Sequence, residues 1–155
     1  MTGSIASRLA ALGIVLPTLA SPIANYVAAV RTGGLLVVSG QLPLRDGAVA
    51  HTGKLGGAVS VEAGREAARL CFVNVLAQAS AALDGNLDRI ARVVRLGGFI
   101  ACTPDFTAHA QVMNGASDLA VDVFGDAGRH ARSTIGVPSL PADAATEVEA
   151  MFEIR

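Results

Sequence analysis

Two stretches near the C-terminus alternate in polarity residue by residue, and this period restricts the fold more than any other feature. Across 131–141 and 147–154, Ile135, Val137, Val148, Ala150, Phe152 and Ile154 alternate with Arg132, Thr134, Gly136, Glu147, Glu149 and Met151. Side chains on a strand switch faces at every residue, so the period fits strands and not helices. Pro138 and Pro141 mark a turn between the two alternating runs. The expected arrangement is an antiparallel hairpin with its apolar set facing the core. Arg132 and Glu147 would then share the other face, where a guanidinium beside a carboxylate can hold an anionic small molecule and position a water. Spacing alone also allows a plainer reading, in which Arg132 pairs across the hairpin with Glu147 or Glu149 as a solvated ion pair. Nothing in the hairpin separates the two glutamates.

The rest of the chain supplies more strands and two long helices. Residues 26–31 read as a strand, Gly33 and Gly34 as a turn, and 35–39 as an apolar strand covered on both faces. The 42–57 stretch is a loop region with room for a short strand near 48–50. Ser60 is placed to cap a helix, with Glu62 favourable in its first turn. Ala63, Ala67, Leu70, Cys71, Asn74, Ala77 and Ala81 carry helical spacing to about Leu83, and Asp84, Gly85 and Asn86 end it. A long strand over 90–102 follows. Its Gly97 and Gly98 mark a bulge or a close backbone approach. Arg89, Arg92 and Arg95 look like a solvated strand edge. Asp105 can cap a second helix over 106–124, which Gly125 stops. Two helices that each feed back into one sheet predict an α+β domain, a mixed sheet with both helices on one face. It spans 1–155 as a single domain, with 1–20 an N-terminal extension holding a short helix at 7–12.

Of the 155 residues, 52% are apolar and only 16% charged, with mean hydropathy +0.50. A small domain with that balance is expected to bury surface against copies of itself. Net charge is −1, there is no Trp and there is one Tyr, which argues against a nucleic-acid surface. His51, His109 and His130 lack metal-ligand spacing, so no metal is expected. Cys71 and Cys102 sit among apolar neighbours and read as buried free thiols, which fits a reducing compartment. No phosphate-binding glycine motif occurs, and Ser39-Gly40 lacks the setting of a nucleophile elbow. The apolar 4–16 stretch is interrupted by Arg8, unlike a signal peptide, and no run approaches a membrane span. A cytoplasmic protein is expected.

Three ordered motifs carry a family resemblance. Arg132-Ser133-Thr134-Ile135-Gly136-Val137-Pro138-Ser139-Leu140-Pro141, followed by Glu147-Val148-Glu149-Ala150, resembles the C-terminal signature of the Rid family, also called YjgF-like or L-PSP endoribonuclease. Pro22-Ile23-Ala24-Asn25-Tyr26-Val27 resembles that family's N-terminal Tyr motif, and Leu36-Val37-Val38-Ser39-Gly40-Gln41-Leu42-Pro43 its Ser-Gly-Gln-x-Pro strand end. The resemblance covers most of the chain, and three motifs in order are specific where one alone is weak.

The resemblance implies a chorismate-mutase-like fold, a homotrimer, and sites in the clefts between subunits. It places the substrate-carboxylate arginine on Arg132 and the water-holding glutamate on Glu147, and so selects Glu147 over Glu149. Tyr26 becomes a pocket wall and hydrogen-bond partner, Gly40 offers a backbone N–H to a carboxylate, and Asn114 matches an asparagine of the second helix. Thr134 stands where the family's deaminases carry a cysteine, whose backbone carbonyl suffices to position the water. Gly136 stands where a glutamate is common. The implied activity is hydrolysis of reactive 2-imino or enamine acids to keto acids and ammonia, without a cofactor, in a divergent branch of the family. Two alternatives stand beside it: a non-catalytic module that binds keto acids or related anions, and an endoribonuclease.

Overall fold

The computed structural model describes residues 3–19 and 25–155. The motif residues Pro22, Ile23 and Ala24 lie outside them. A five-stranded mixed sheet carries two long helices, α2 (Val61–Ala82) and α3 (His109–Phe124), on one face. Its strands are β1 (Ala29–Thr32), β2 (Leu35–Gln41), β5 (Ile90–Ala101), β6 (Ala131–Val137) and β7 (Thr146–Ile154), in spatial order β1-β2-β7-β5-β6. A small hairpin, β3 (Leu44–Arg45) with β4 (Ala48–Val49), turns at Asp46 and Gly47, both at positive φ as a two-residue turn requires. A short helix α1 (Ile5–Ala11) buries Ile5 and Leu9 against the same body.

Local chemistry fixes α2 closely. The Ser60 hydroxyl accepts the Ala63 N–H at 3.1 Å, and Glu62 opens the first turn. The helix closes where Asp84 and Gly85 turn to positive φ and the Gly85 N–H reaches back to Ser80 O. Its buried Asn74 donates to Leu44 O and Leu70 O, which ties the small hairpin down. The core lies between helices and sheet, where Leu36, Val38, Leu96, Val148, Ala150 and Phe152 meet Phe72, Leu76, Met113 and Leu119.

Four expectations need correction. First, β6 and β7 form no hairpin: β6 runs parallel to β5, and β7 inserts between β2 and β5. Residues 138–145 are too long for a tight hairpin and hold two prolines, so the chain steps over β5 instead. A strand with an apolar inward face on Val148, Ala150 and Phe152 gains most from a central position; β6, with Arg132 and Gly136, takes the edge. Second, the faces of β6 are reversed, since Ile135 is 52% exposed while Arg132 and Thr134 point to the helices. Third, β2 is not covered on both faces: Leu36 and Val38 are buried, but Val37 is exposed. Fourth, α3 starts at His109 with no side-chain cap, because the Phe106 N–H is taken by Thr103 O in a turn that delays the helix. Gly97 and Gly98 mark close approaches, as one of the two readings held, while the irregularities of β5 lie earlier, at Ile90–Arg92 and Val93–Arg95.

Candidate functional site

The side of the sheet away from the helices is covered by no described element. Paired residues face the same way, so Arg95 with Met151, Gly97 with Glu149 and Phe99 with Glu147 all lie on it, beside Val30, Val37 and Ile135. Val30 is 49% exposed. This is an apolar surface with a polar centre, and its two glutamates differ. Glu149 pairs with Arg95 at 3.0 Å. Glu147 has no ion-pair partner among the described residues, and burial, with the Glu149 charge adding to it, pushes its carboxyl above the usual range. Its carboxylate rests on Gly40, at the irregular end of β2, where any Cβ would overlap Oε1. Glu147 is therefore the carboxylate with unspent capacity to accept a proton.

Arg132 lies on the opposite side, against α3. Its Nη1 donates to Asn114 Oδ1 at 2.9 Å and to Ser117 Oγ at 3.1 Å, and Nη2 to Ala110 O at 3.4 Å. Ser117 Oγ lies 2.9 Å from His130 Nε2, and His130 Nδ1 lies 2.6 Å from Gly128 O. A carbonyl only accepts, so Nδ1 carries the hydrogen. Ser117 Oγ, set against His130 Nε2, accepts from Arg132 Nη1. The guanidinium is thus held by a chain of satisfied groups, half-buried, with part of its fork free for a ligand. Next along the strand, the Thr134 hydroxyl oxygen is buried with no hydrogen-bond partner among the described residues. An orphaned hydroxyl of that kind calls for a water or a ligand.

Within one chain the structure therefore makes two groups. Arg132, Asn114 and Thr134 stand on the helix side of the β6 edge. Gly40 and Glu147 stand on the open side. Tyr26, 60% exposed just before β1, joins neither. The expectation that Arg132 and Glu147 share a face of one hairpin fails, because they occupy opposite sides of the sheet with β5 between their strands. Asn114 enters as a holder of Arg132. Ser117 and His130 were missed, although Ser117 lies one helical turn after Asn114, on the face that meets β6. Among the described residues, no three His, Cys, Asp or Glu side chains gather as a metal site, and no helix is long and apolar enough to cross a membrane.

Comparison with known proteins follows the same lines. Residues 6–154 match the family described as "YjgF/chorismate_mutase-like, putative endoribonuclease". Protein TCP17 of Trypanosoma cruzi is 49% identical over 155 residues, covering 99% of this chain and 96% of that protein. The crystal structure of Atu1372 from Agrobacterium tumefaciens, of unknown function, is 47% identical with a TM-score of 0.91, covering 98% of this chain and 94% of its own. A "putative endoribonuclease" from Shewanella oneidensis MR-1 is 35% identical with a TM-score of 0.94, covering 98% and 100%. With the match spanning both the Arg132 and the Glu147 strands, the chain belongs to the YjgF/chorismate mutase-like family.

Proposed function

We propose that this protein hydrolyses reactive 2-imino and enamine acids to 2-keto acids and ammonia, at a site completed by a second copy of the chain. The observation that carries the reading is the restrained Arg132 fork, held from behind by Asn114 and Ser117 and placed beside the Thr134 hydroxyl, which has no partner among the described residues. Such a fork fits a substrate carboxylate in two-point fashion. The carboxylate that would activate water, Glu147, lies on the other side of the sheet. The two half-sites meet when the β6 edge of one copy lies against the open face of another. The exposed Val30, Val37 and Ile135 suit that face to burial, in agreement with a homotrimer.

In the assembled site the iminium is already electrophilic, so no cofactor enters. Water adds to the imine carbon while Glu147 takes its proton, giving a carbinolamine. Glu147 passes that proton to nitrogen; the C–N bond breaks, the O–H bond electrons form the carbonyl, and the O–H proton leaves on the departing ammonia as ammonium. Imino acid and water become keto acid and ammonium, with no electron exchanged outside the pair. A carboxyl held above its usual range is suited to taking and returning that proton.

The test is ammonia release from an imino acid generated in place by an amino-acid oxidase. The parent should accelerate release, and Arg132→Ala and Glu147→Gln should not. A parent that binds keto acids yet never speeds release would leave the non-catalytic binding module. A second reading rests on the names of the relatives: cleavage of RNA. Net charge −1 and scattered basic residues oppose it. Specific, Arg132-dependent cleavage of an RNA without added metal would replace the deaminase reading.

A further inference from the structure

The two thiols of the chain have different fates. Cys71 is fully buried in α2, its Sγ 3.2 Å from Thr146 Oγ1, and burial pushes its thiol up to about 12. A thiol in that setting stays protonated and inert. Cys102, just past β5, is half-buried and lines a cavity of about 590 Å³. Its Sγ lies 3.6 Å from His109 Nε2. Both partners are fixed by backbone. The Cys102 N–H donates to Val137 O at 3.1 Å, and the neighbouring Thr103 N–H to Leu55 O at 3.0 Å, so the cysteine is pinned on two sides. His109 is the first residue of α3, and its ring packs edge-on against Phe106 with centroids 5.2 Å apart.

Gly136 leaves the pair open. A Cβ there would stand 2.7 Å from both Cys102 Sγ and His109 Nε2. The strand carries no side chain here, and Gly136 lines the cavity. The walls are Pro104, Phe106, Val137 and Pro138, and Lys54 supplies the cavity's cation. Asp105, in the adjoining turn, is not part of the lining.

We infer that Cys102 and His109 form a reactive thiol site, separate from the Arg132 group, that takes small α,β-unsaturated acids by conjugate addition. The Cys102 sulfur bonds the β-carbon and the alkene π bond opens. The thiol proton goes to His109 Nε2 and from there to the α-carbon. Thiol and alkene become a thioether, and neither oxidant nor reductant is needed. The apolar walls hold the carbon skeleton and Lys54 attracts the acid group. Imine hydrolysis at Arg132 uses neither side chain, so the two readings stand or fall separately.

The intact protein is treated with N-ethylmaleimide and, separately, with 3-maleimidopropionate, and adducts are followed by intact mass and peptide mapping. One adduct per chain is expected, on Cys102, with Cys71 untouched. The rate at neutral pH should fall about tenfold or more in His109→Gln, as for loss of a general base. The anionic reagent should be favoured over the neutral one more than it is with N-acetylcysteine, and Lys54→Gln should erase that preference. The comparison with N-acetylcysteine needs no variant, so it holds even where His109→Gln perturbs folding. A rate unchanged in a folded His109→Gln protein, or a parent that neither outpaces N-acetylcysteine nor prefers the anion, would overturn the inference.

Discussion

Asn114→Ala tests whether Arg132 works because it is held. In the folded chain Arg132 Nη1 shares its donors between Asn114 Oδ1 and Ser117 Oγ, and Nη2 reaches Ala110 O. Removing the amide deletes one charge-assisted hydrogen bond, a class worth about 1.5–3 kcal/mol when well enclosed. Arg132 is only half-buried, so solvent screening brings the stability cost to ~1 kcal/mol. For a chain of this length that is a drop of about 2–4 °C in Tm. The two surviving contacts keep the fork near its place, and reordering it on binding costs about 0.5–1 kcal/mol. Affinity for a 2-keto acid, measured by titration calorimetry, should therefore fall about two- to fivefold. Arg132→Ala, which removes the fork itself, should cost about one to two decades. The double variant should bind no more weakly than Arg132→Ala alone, since a holder with nothing to hold contributes nothing. Equal losses for Asn114→Ala and Arg132→Ala, with Tm unchanged, would refute the holding role and put Asn114 in direct contact with ligand. Additive losses would do the same.

Glu147→Gln should raise Tm at neutral pH. The folded carboxyl is raised, so its contribution is fully present below the unfolded value of about 4.3 and is lost as pH climbs through the folded value. The gain should therefore vanish in acid, and a variant less stable than the parent at pH 7 would contradict the assignment. Gly40→Ala should slow imine hydrolysis more than it weakens keto-acid binding, because the new methyl displaces the Glu147 carboxylate while the flexible side chain gives way without unfolding the sheet. Light scattering at micromolar concentration should report three copies; a stable monomer would remove the assembled site. Exhaustive EDTA treatment should leave ammonia release unchanged, and restoration of lost activity by zinc would show that the histidines had been misread.

The sequence was most legible where structure is decided by neighbours along the chain. Ser60, Glu62 and the Asp84-Gly85 pair bound α2 because a cap, a dipole and a positive-φ residue act within one turn. The alternation of 147–154 correctly named the inward residues Val148, Ala150 and Phe152. It did not name the partner of β6, because a period of two identifies a strand without saying what lies beside it. Arg132 broke the polarity rule for a reason 15 to 22 residues away: Asn114, Ser117 and Ala110 O make a polar wall on α3 that accepts a guanidinium where a sheet's inner face ordinarily takes an apolar residue. The choice between Glu147 and Glu149 was likewise invisible locally. It depends on Arg95, 54 residues from Glu149, which neutralises one carboxylate and leaves the other.

The glycines of the sheet explain how so polar a set of side chains fits on strands that also build a core. Glycine weakens a strand, and its use there marks a close approach. Gly40 seats Glu147, Gly97 seats Glu149, Gly98 admits Met113, and Gly136 leaves room beside Cys102 and His109. Each vacancy is filled or flanked by a side chain from another element. The strand that gives up packing at Gly136 is also the one at the sheet edge, paired on one side only. The inner strands give up side chains only where a neighbour refills the space, as Glu147, Glu149 and Met113 do at Gly40, Gly97 and Gly98, whereas the space at Gly136 on the edge opens to a cavity. The same edge carries the restrained Arg132. A substitution that refilled Gly136 would therefore act on the Cys102–His109 cavity far more than on the stability of the fold.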